Sequence, residues 1–479
     1  MGYDLNYERQ TAADFREKRN IQEKDNDLFR VHMLKQGLFQ FTDTTNAERL
    51  MKKYGTDIRY VPEWKKWLVW NGSYWKVDKG ALIHAKGLEM IRSIYDEILS
   101  TVDYHEKDAI EKAAIQSESM RRREAFVKAA SLITDLNIEV DDLDRDPFLL
   151  NVKNGTINVV TGEFREHRRE DFITKMSNFT YDPAASCPLW EKFVREIMDY
   201  NADLVTFLQT ALGWGITGDT SEQVMFILIG NGANGKSTCI NVIMHSLGDY
   251  ATSTPTETFM RRQSDGISND IARLRGMHFV TTTEAEQGRK LSESLIKQIT
   301  GNDRMTARFL YGEFFTFLPT FKIFMATNHK PTISGTDHGI WRRIRIIPFT
   351  TTIAEENRDL HLSEKLLGES SGILNWLIAG AKRWKTERLT LPPEVIDATD
   401  EYRNEMDIIG NFIKDRCDQK PGVQIRAREL FKCYQEWCED NNEHACSERF
   451  FGLRLKELGL KQKRLSEGRY WLDIMIKTS

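Results

Sequence analysis

The chain's 479 residues exceed a single ordinary core and call for two to four domains. Its composition, 40% hydrophobic and 10% aromatic, suits packed globular protein rather than disorder, and no apolar run is long enough to span a bilayer. A net charge of -4 provides no global pull towards nucleic acid but permits a positive surface on one channel wall, and six irregularly spaced cysteines suit reduced thiols rather than a disulfide framework.

Residues 1–55 carry charged runs such as Arg16-Glu17-Lys18-Arg19 and read as a solvated helix or arm. A domain covering 56–195 follows. Trp64, Trp67, Trp70 and Trp75 surround Asn71-Gly72, a hairpin signature whose aromatics suit core packing better than base stacking. Leu88, Ile91, Ile94 and Leu99 recur at helical spacing. Asp141, Asp142, Asp144 and Asp146 crowd before Pro147, which reads as an acidic loop; a catalytic carboxylate pair would close an apolar strand instead. Asn154-Gly155 and Thr161-Gly162 mark turns between short strands, and a linker near Asp182-Pro183 leads into a helix from Leu189.

The segment 196–390 carries the chemistry. Val224 to Ile229 is an unbroken apolar run, as expected of a strand buried on both faces of a parallel sheet. It enters Gly230-Asn231-Gly232-Ala233-Asn234-Gly235-Lys236-Ser237-Thr238 and then a helical pattern, the strand, loop and helix context of a phosphate-binding loop. Glycines let backbone N–H groups curl round phosphates, Lys236 neutralises the β- and γ-phosphates, and Ser237 ligates Mg²⁺. The cofactors expected are therefore ATP and Mg²⁺.

A second strand, Met277 to Thr283, ends at Glu284-Ala285-Glu286. One of these glutamates would hold Mg²⁺ or its water shell and one would polarise the attacking water, with Glu284 the principal acidic candidate and Glu286 close behind; a solvated loop charge is the alternative for either. A third strand, Phe321 to Thr327, ends in Asn328, an amide able to sense the γ-phosphate. Arg342 and Arg343 are candidates for a guanidinium placed over a neighbouring subunit's nucleotide, with a plain surface role as the alternative.

In this order, Gly230–Thr238, Thr283-Glu284-Ala285-Glu286, Thr306-Ala307-Arg308-Phe309-Leu310-Tyr311-Gly312-Glu313, Ala326-Thr327-Asn328-His329-Lys330-Pro331 and Gly339-Ile340-Trp341-Arg342-Arg343 resemble the superfamily 3 helicase core. More narrowly, the chain is similar to the phage/plasmid and poxvirus primase-helicases. The resemblance implies an α/β P-loop NTPase core of AAA+-like type, a mixed α+β domain before it and a winged-helix-like module over 391–479. It also implies an ATP-dependent DNA helicase that assembles as a homo-oligomeric ring, usually a hexamer. Such a ring would act on single-stranded and forked DNA during replication of a phage or plasmid-like element in a bacterial cytoplasm. A hairpin at 304–317 would grip DNA with Arg304, Arg308 and Tyr311. The family often has Lys or His at that tip, where this chain has Tyr311-Gly312-Glu313. The region before residue 60 is too short for a primase domain, so a separate primase or polymerase is expected. An origin-binding initiator or switch ATPase without unwinding activity is the alternative.

In the final module, Lys463 and Arg464 precede Ser466-Glu467-Gly468 in a basic hairpin of the kind that touches DNA backbone. Cys433, Cys438, His444 and Cys446 have the spacing C-x4-C-x5-H-x-C, which matches no common zinc finger.

Overall fold

The computed structural model describes residues 41–100, 102, 104–261, 269–282, 288–333 and 338–477. The chain divides into two compact units, one through Leu143 and one from Asp144 onwards.

In the first unit, helix α1 (Asp43–Tyr54) starts at a capping box between Thr42 and Thr45. Strands β1 (Ile58–Val61), β2 (Lys66–Trp70) and β3 (Trp75–Val77) form an antiparallel sheet in that order. The Asn71 side chain closes the β2–β3 turn by accepting the Ser73 and Tyr74 N–H groups, each at 2.9 Å. Trp67 and Trp75 are buried, the core role that the pattern suggested. Helices α2 (Leu82–Ser100), α3 (Tyr104–Ser117) and α4 (Met120–Ala130) follow. Asp78 anchors the start of α2, its carboxylate accepting four successive N–H groups from Gly80 to Ile83. Leu99 departs from the expected apolar stripe and is 85% exposed, while Ile91 and Ile94 are buried.

The second unit opens with Asp144. Burial alone would raise its carboxyl, but Lys175 and Thr174 hold it below the usual carboxylate range. Strands β4 (Leu149–Val152), β5 (Gly155–Asn158) and β6 (Phe164–Arg165) form an antiparallel meander. Residues 144–195, grouped with the preceding domain by sequence, pack instead into this second unit. The attachments are specific: Asn151 N–H donates to Tyr250 Oη at 3.1 Å, and Glu369 accepts the Leu189 and Trp190 N–H groups that open helix α5 (Pro188–Ile197). Helix α6 (Ala202–Gly215) comes next.

The centre is a five-stranded parallel sheet of β7 (Met225–Ile229), β8 (Ala251–Thr254), β9 (Phe279–Thr282), β12 (Lys322–Thr327) and β13 (Ile344–Pro348), in spatial order β13-β7-β12-β9-β8. Strand β7 is buried on both faces: Phe226 and Leu228 join one apolar core, Met225 and Ile227 the other. A short antiparallel hairpin, β10 (Met305–Arg308) and β11 (Phe314–Phe317), leaves the sheet before β12. Helices α7 (Lys236–Leu247), α8 (Asn269–Ala272), α9 (Glu293–Thr300), α10 (His338–Trp341), α11 (Leu362–Gly368) and α12 (Ser370–Glu387) complete this region.

Helix α13 (Pro393–Met406) then runs into a smaller assembly: α14 (Ile408–Arg416), β14 (Cys417–Asp418), β15 (Gln424–Arg426), α15 (Ala427–Asp440), α16 (Glu448–Glu457), β16 (Gln462–Leu465), β17 (Gly468–Leu472) and β18 (Met475–Ile476). Its sheet has the order β15-β17-β16, and its separate apolar core contains Phe412, Tyr434, Phe451, Leu455 and Trp471. No group of metal-ligating side chains occurs among the described residues.

Candidate functional site

The carboxyl end of β7 passes into the loop from Gly230 to Gly235, and the loop into α7. This geometry needs its glycines. A Cβ on Gly230 would lie 2.1 Å from Asn234 Nδ2 and 2.3 Å from the Phe349 carbonyl oxygen. Gly235 has φ +81° and faces Ile197, so a side chain there would be both strained and obstructed. Ala233 also adopts a left-handed conformation, and its carbonyl accepts the Ile353 N–H at 2.7 Å.

Lys236 heads α7 and is only 4% exposed. Its Nζ donates to Gly230 O at 2.6 Å, to Asn234 Oδ1 at 3.0 Å and to Asn328 Oδ1 at 3.0 Å. Asn328 comes from the end of β12, beside β7 in the sheet. Two motifs separated by about a hundred residues therefore meet at one ammonium group through a parallel strand pair. Asn234 plays a part its place in the loop did not reveal: its oxygen holds Lys236, while its buried Nδ2 has no acceptor among the described residues.

Gly235 caps α7 without a side-chain hydrogen bond, so the backbone N–H groups of the first turn stand at the helix start. Ser237 is exposed and Thr238 half-buried in that turn, and Asn231 lies exposed on the loop with Gly232 beside it at φ +92°. Backbone donors, a helix N-terminus, an ammonium group and an orphaned amide N–H suit the oxygens of a polyphosphate, and the Ser237 hydroxyl can face a divalent cation.

Glu284 and Glu286 lie outside the described residues; β9, whose last residue is Thr282, lies directly beside β12. The two arginines part company. Arg342 is exposed, whereas Arg343 is 8% exposed and turned inward, its guanidinium donating to Thr300 Oγ1 at 3.0 Å and Gly339 O at 2.6 Å. The expectation of Arg343 as a reaching cation is thus corrected: these bonds tie α9 to the start of β13.

Arg304, Arg308 and Tyr311 all lie exposed on or beside the β10–β11 hairpin. Tyr311, with φ +62°, is fully exposed at the turn, and the Arg308 guanidinium lies 4.9 Å from the Phe314 ring centre. Sequence reading did not single out Phe309, Leu310 and Phe314, whose large apolar side chains are also exposed there. Lys463 and Arg464 are exposed on β16; as consecutive strand residues they point to opposite faces of the second hairpin.

The loop after Asn328 is anchored by two residues of α13, Tyr402 and Glu405, that no motif announced. Lys330 pairs with both Glu405 carboxylate oxygens at 2.7 and 2.8 Å, and the buried Tyr402 hydroxyl donates to Pro331 O. Tyr402 also meets Trp341 edge-on, with ring centres 5.3 Å apart.

Three family profiles match the chain: "D5 N terminal like" over residues 47–199, a family of unknown function over 228–343, and "Poxvirus D5 protein-like" over 404–471. Among relatives, L207/L206 of Acanthamoeba polyphaga mimivirus, assigned as a helicase, is 25% identical across 86% of this chain and 47% of its own length. Protein 022R of Frog virus 3, also assigned as a helicase, is 26% identical across 52% of this chain and 28% of its own. C962R of African swine fever virus, assigned as a primase, is 23% identical across 70% and 36%. The chain spans less than half the length of each. The C-terminal region of NrS-1 aligns over 89% of this chain and 98% of its own at 9% identity and a TM-score of 0.48. Among the described residues no helix is long and apolar enough to cross a membrane.

Proposed function

Because the chain belongs to the superfamily 3 primase-helicase family that includes the poxvirus D5-like proteins, we propose that it is an ATP-dependent DNA helicase working as a ring of like subunits on single-stranded and forked DNA. The observation that carries the reading is the meeting of Lys236 and Asn328 at 3.0 Å, at the carboxyl ends of adjacent parallel strands.

The loop N–H groups and the α7 N-terminus hold the phosphates, and Lys236 offsets the charge that grows on the leaving β-phosphate oxygen as its bond to the γ-phosphorus lengthens. Bound Mg²⁺, held by Ser237 and Glu284, would supply further neutralisation across the β- and γ-phosphates. Glu286 or Glu284 orients and deprotonates the attacking water. Asn328 accepts from Lys236 through Oδ1, and its side-chain N–H₂ is the group that would donate to a γ-phosphate oxygen. Departure of that oxygen changes what the β12 end can bond. Arg342, exposed behind α10, reaches the neighbouring subunit's nucleotide. Arg308 and Tyr311 on the β10–β11 hairpin contact DNA, the cation at phosphate and the ring at a base face.

The test is strand displacement on a forked duplex beside ATP turnover with and without single-stranded DNA. Wild-type protein is expected to unwind and to hydrolyse faster with DNA, and Lys236→Ala to lose both while remaining folded. Turnover by Lys236→Ala at the wild-type rate removes the site assignment. Hydrolysis by wild type without displacement replaces the helicase with an initiator or switch ATPase.

A further inference from the structure

Helix α13 lies on the edge strand β13, where the Ile346 N–H donates to Thr399 Oγ1 at 3.1 Å. Ala398, Tyr402 and Met406 recur at helical spacing and turn into the apolar core that also holds Met325 of β12, Ile340 and Trp341.

Tyr402 is fully buried in that core and joins two segments distant in the chain. Its hydroxyl donates to Pro331 O, in the loop that follows Asn328. Its ring meets the Trp341 ring edge-on at 5.3 Å, immediately before Arg342.

Both segments are also fixed by other bonds. Thr327 Oγ1 donates to His329 O at 2.8 Å and accepts the His329 N–H at 3.1 Å, and Thr332 exchanges backbone hydrogen bonds with Arg289 and Leu291. Arg342 stands between two anchored neighbours: Trp341 is buried against Tyr402, and the Arg343 guanidinium is held by Thr300 and Gly339. The exposed Arg342 side chain is therefore presented from a turn whose placement follows Tyr402.

A buried hydroxyl parts from its carbonyl only by leaving both groups unpaired, and a close-packed core yields in discrete steps rather than continuously. Movement at the close of β12 is then passed through Tyr402 to α10 instead of being absorbed between them.

We propose that Tyr402 is a positioning residue for hydrolysis: its one side chain couples the loop after Asn328 to the turn that presents Arg342. The response to the γ-phosphate in one site thereby sets the placement of the cation offered to the next. The roles of Asn328 and Arg342 rest on the reading above; the bridge between their two segments does not. Tyr402 acts on the strand end and on α10 rather than on the phosphate loop. It therefore governs how fast bound ATP reacts and not how tightly it is held.

The experiment uses the full chain with saturating single-stranded DNA, at a temperature where thermal melting shows every variant folded. Tyr402→Phe removes the bond to Pro331 O and keeps the ring; Trp341→Leu removes the ring contact and keeps the hydroxyl bond. Each is expected to lower kcat for ATP roughly tenfold or more, while the Kd of a fluorescent ATP analogue stays within about twofold of wild type. Combined with Asn328→Ala or with Arg342→Ala, each is expected to add less than its full loss, because groups that act through one another are not additive. A role confined to stability would lower the melting temperature and leave the kcat of the folded protein unchanged. Wild-type kcat in either folded variant would overturn the proposal. So would a fall in analogue affinity matching the fall in kcat, or a loss that multiplies in full with either partner substitution. An active wild type beside an unaffected Tyr402→Phe removes the coupling alone, whereas a wild type that hydrolyses no ATP removes the helicase reading and the coupling with it.

Discussion

Arg342 and Arg343 are adjacent in the chain and opposite in surroundings. The Arg343 guanidinium is buried on Thr300 and Gly339, while Arg342 faces out. Removing Arg343 leaves its buried acceptor groups without a charged donor, so Arg343→Ala is expected to lower unfolding stability by about 1.5–3 kcal/mol. Arg342→Ala is expected to keep wild-type stability within about 0.5 kcal/mol and, in the assembled ring, to slow ATP turnover on the order of 10³-fold. Chemical denaturation and turnover measured on both variants separate the roles. Full activity in Arg342→Ala would move the trans-acting cation elsewhere.

At the scale of elements, α13 joins the strand end that carries Asn328 to the helix that precedes Arg342. Tyr402 donates to Pro331 O and packs on Trp341, and Glu405 holds Lys330. Helix α13 leads on to Asp407, which caps α14 and pairs with Arg454 of α16 at 2.9 Å. Tyr402→Phe keeps the ring but leaves a buried carbonyl unpaired, an expected loss of about 1–3 kcal/mol. A denaturation midpoint equal to wild type would mean that the Lys330–Glu405 pair secures the loop alone. Nothing in the local sequence indicates that Tyr402 reaches a carbonyl seventy-one positions back.

At the scale of the molecule, the second unit is knitted below its sheet by buried polar side chains. His278 donates from Nδ1 to Ile216 O at 2.9 Å and lies 4.8 Å from the Tyr250 ring centre. Burial, and then the nearby Lys322, push its pKa down to about 3. The folded state therefore binds fewer protons than the unfolded state between that value and the ordinary histidine range, so stability rises with pH there. The contribution is fully present above about pH 6.5 and is lost as pH falls, by about 2 kcal/mol between pH 7 and pH 5. His278→Gln should flatten the fall in unfolding free energy over that interval relative to wild type. Parallel pH profiles for the two proteins would place the titration in other groups.

Local sequence was sufficient for the strand, loop and helix around Gly230–Ser237, because glycine spacing and a doubly buried apolar run are short-range properties. It was sufficient also for the Asn71-Gly72 hairpin and for the close of β12, signalled by turn chemistry and strand length, whereas the β10–β11 hairpin was expected only from the family resemblance. The tertiary structure alone decided which side chains meet. The β7–β12 register brings Asn328 to Lys236, burial takes Arg343 out of the exposed set, and β16–β17 pairing separates Lys463 from Arg464. Placement of residues 144–195 with the parallel sheet likewise rests on bonds such as Asn151 to Tyr250, between groups ninety-nine positions apart. The physical reason is common to all four. Local pattern limits backbone conformation, whereas the partner and burial of a side chain depend on which distant segments the fold packs against it.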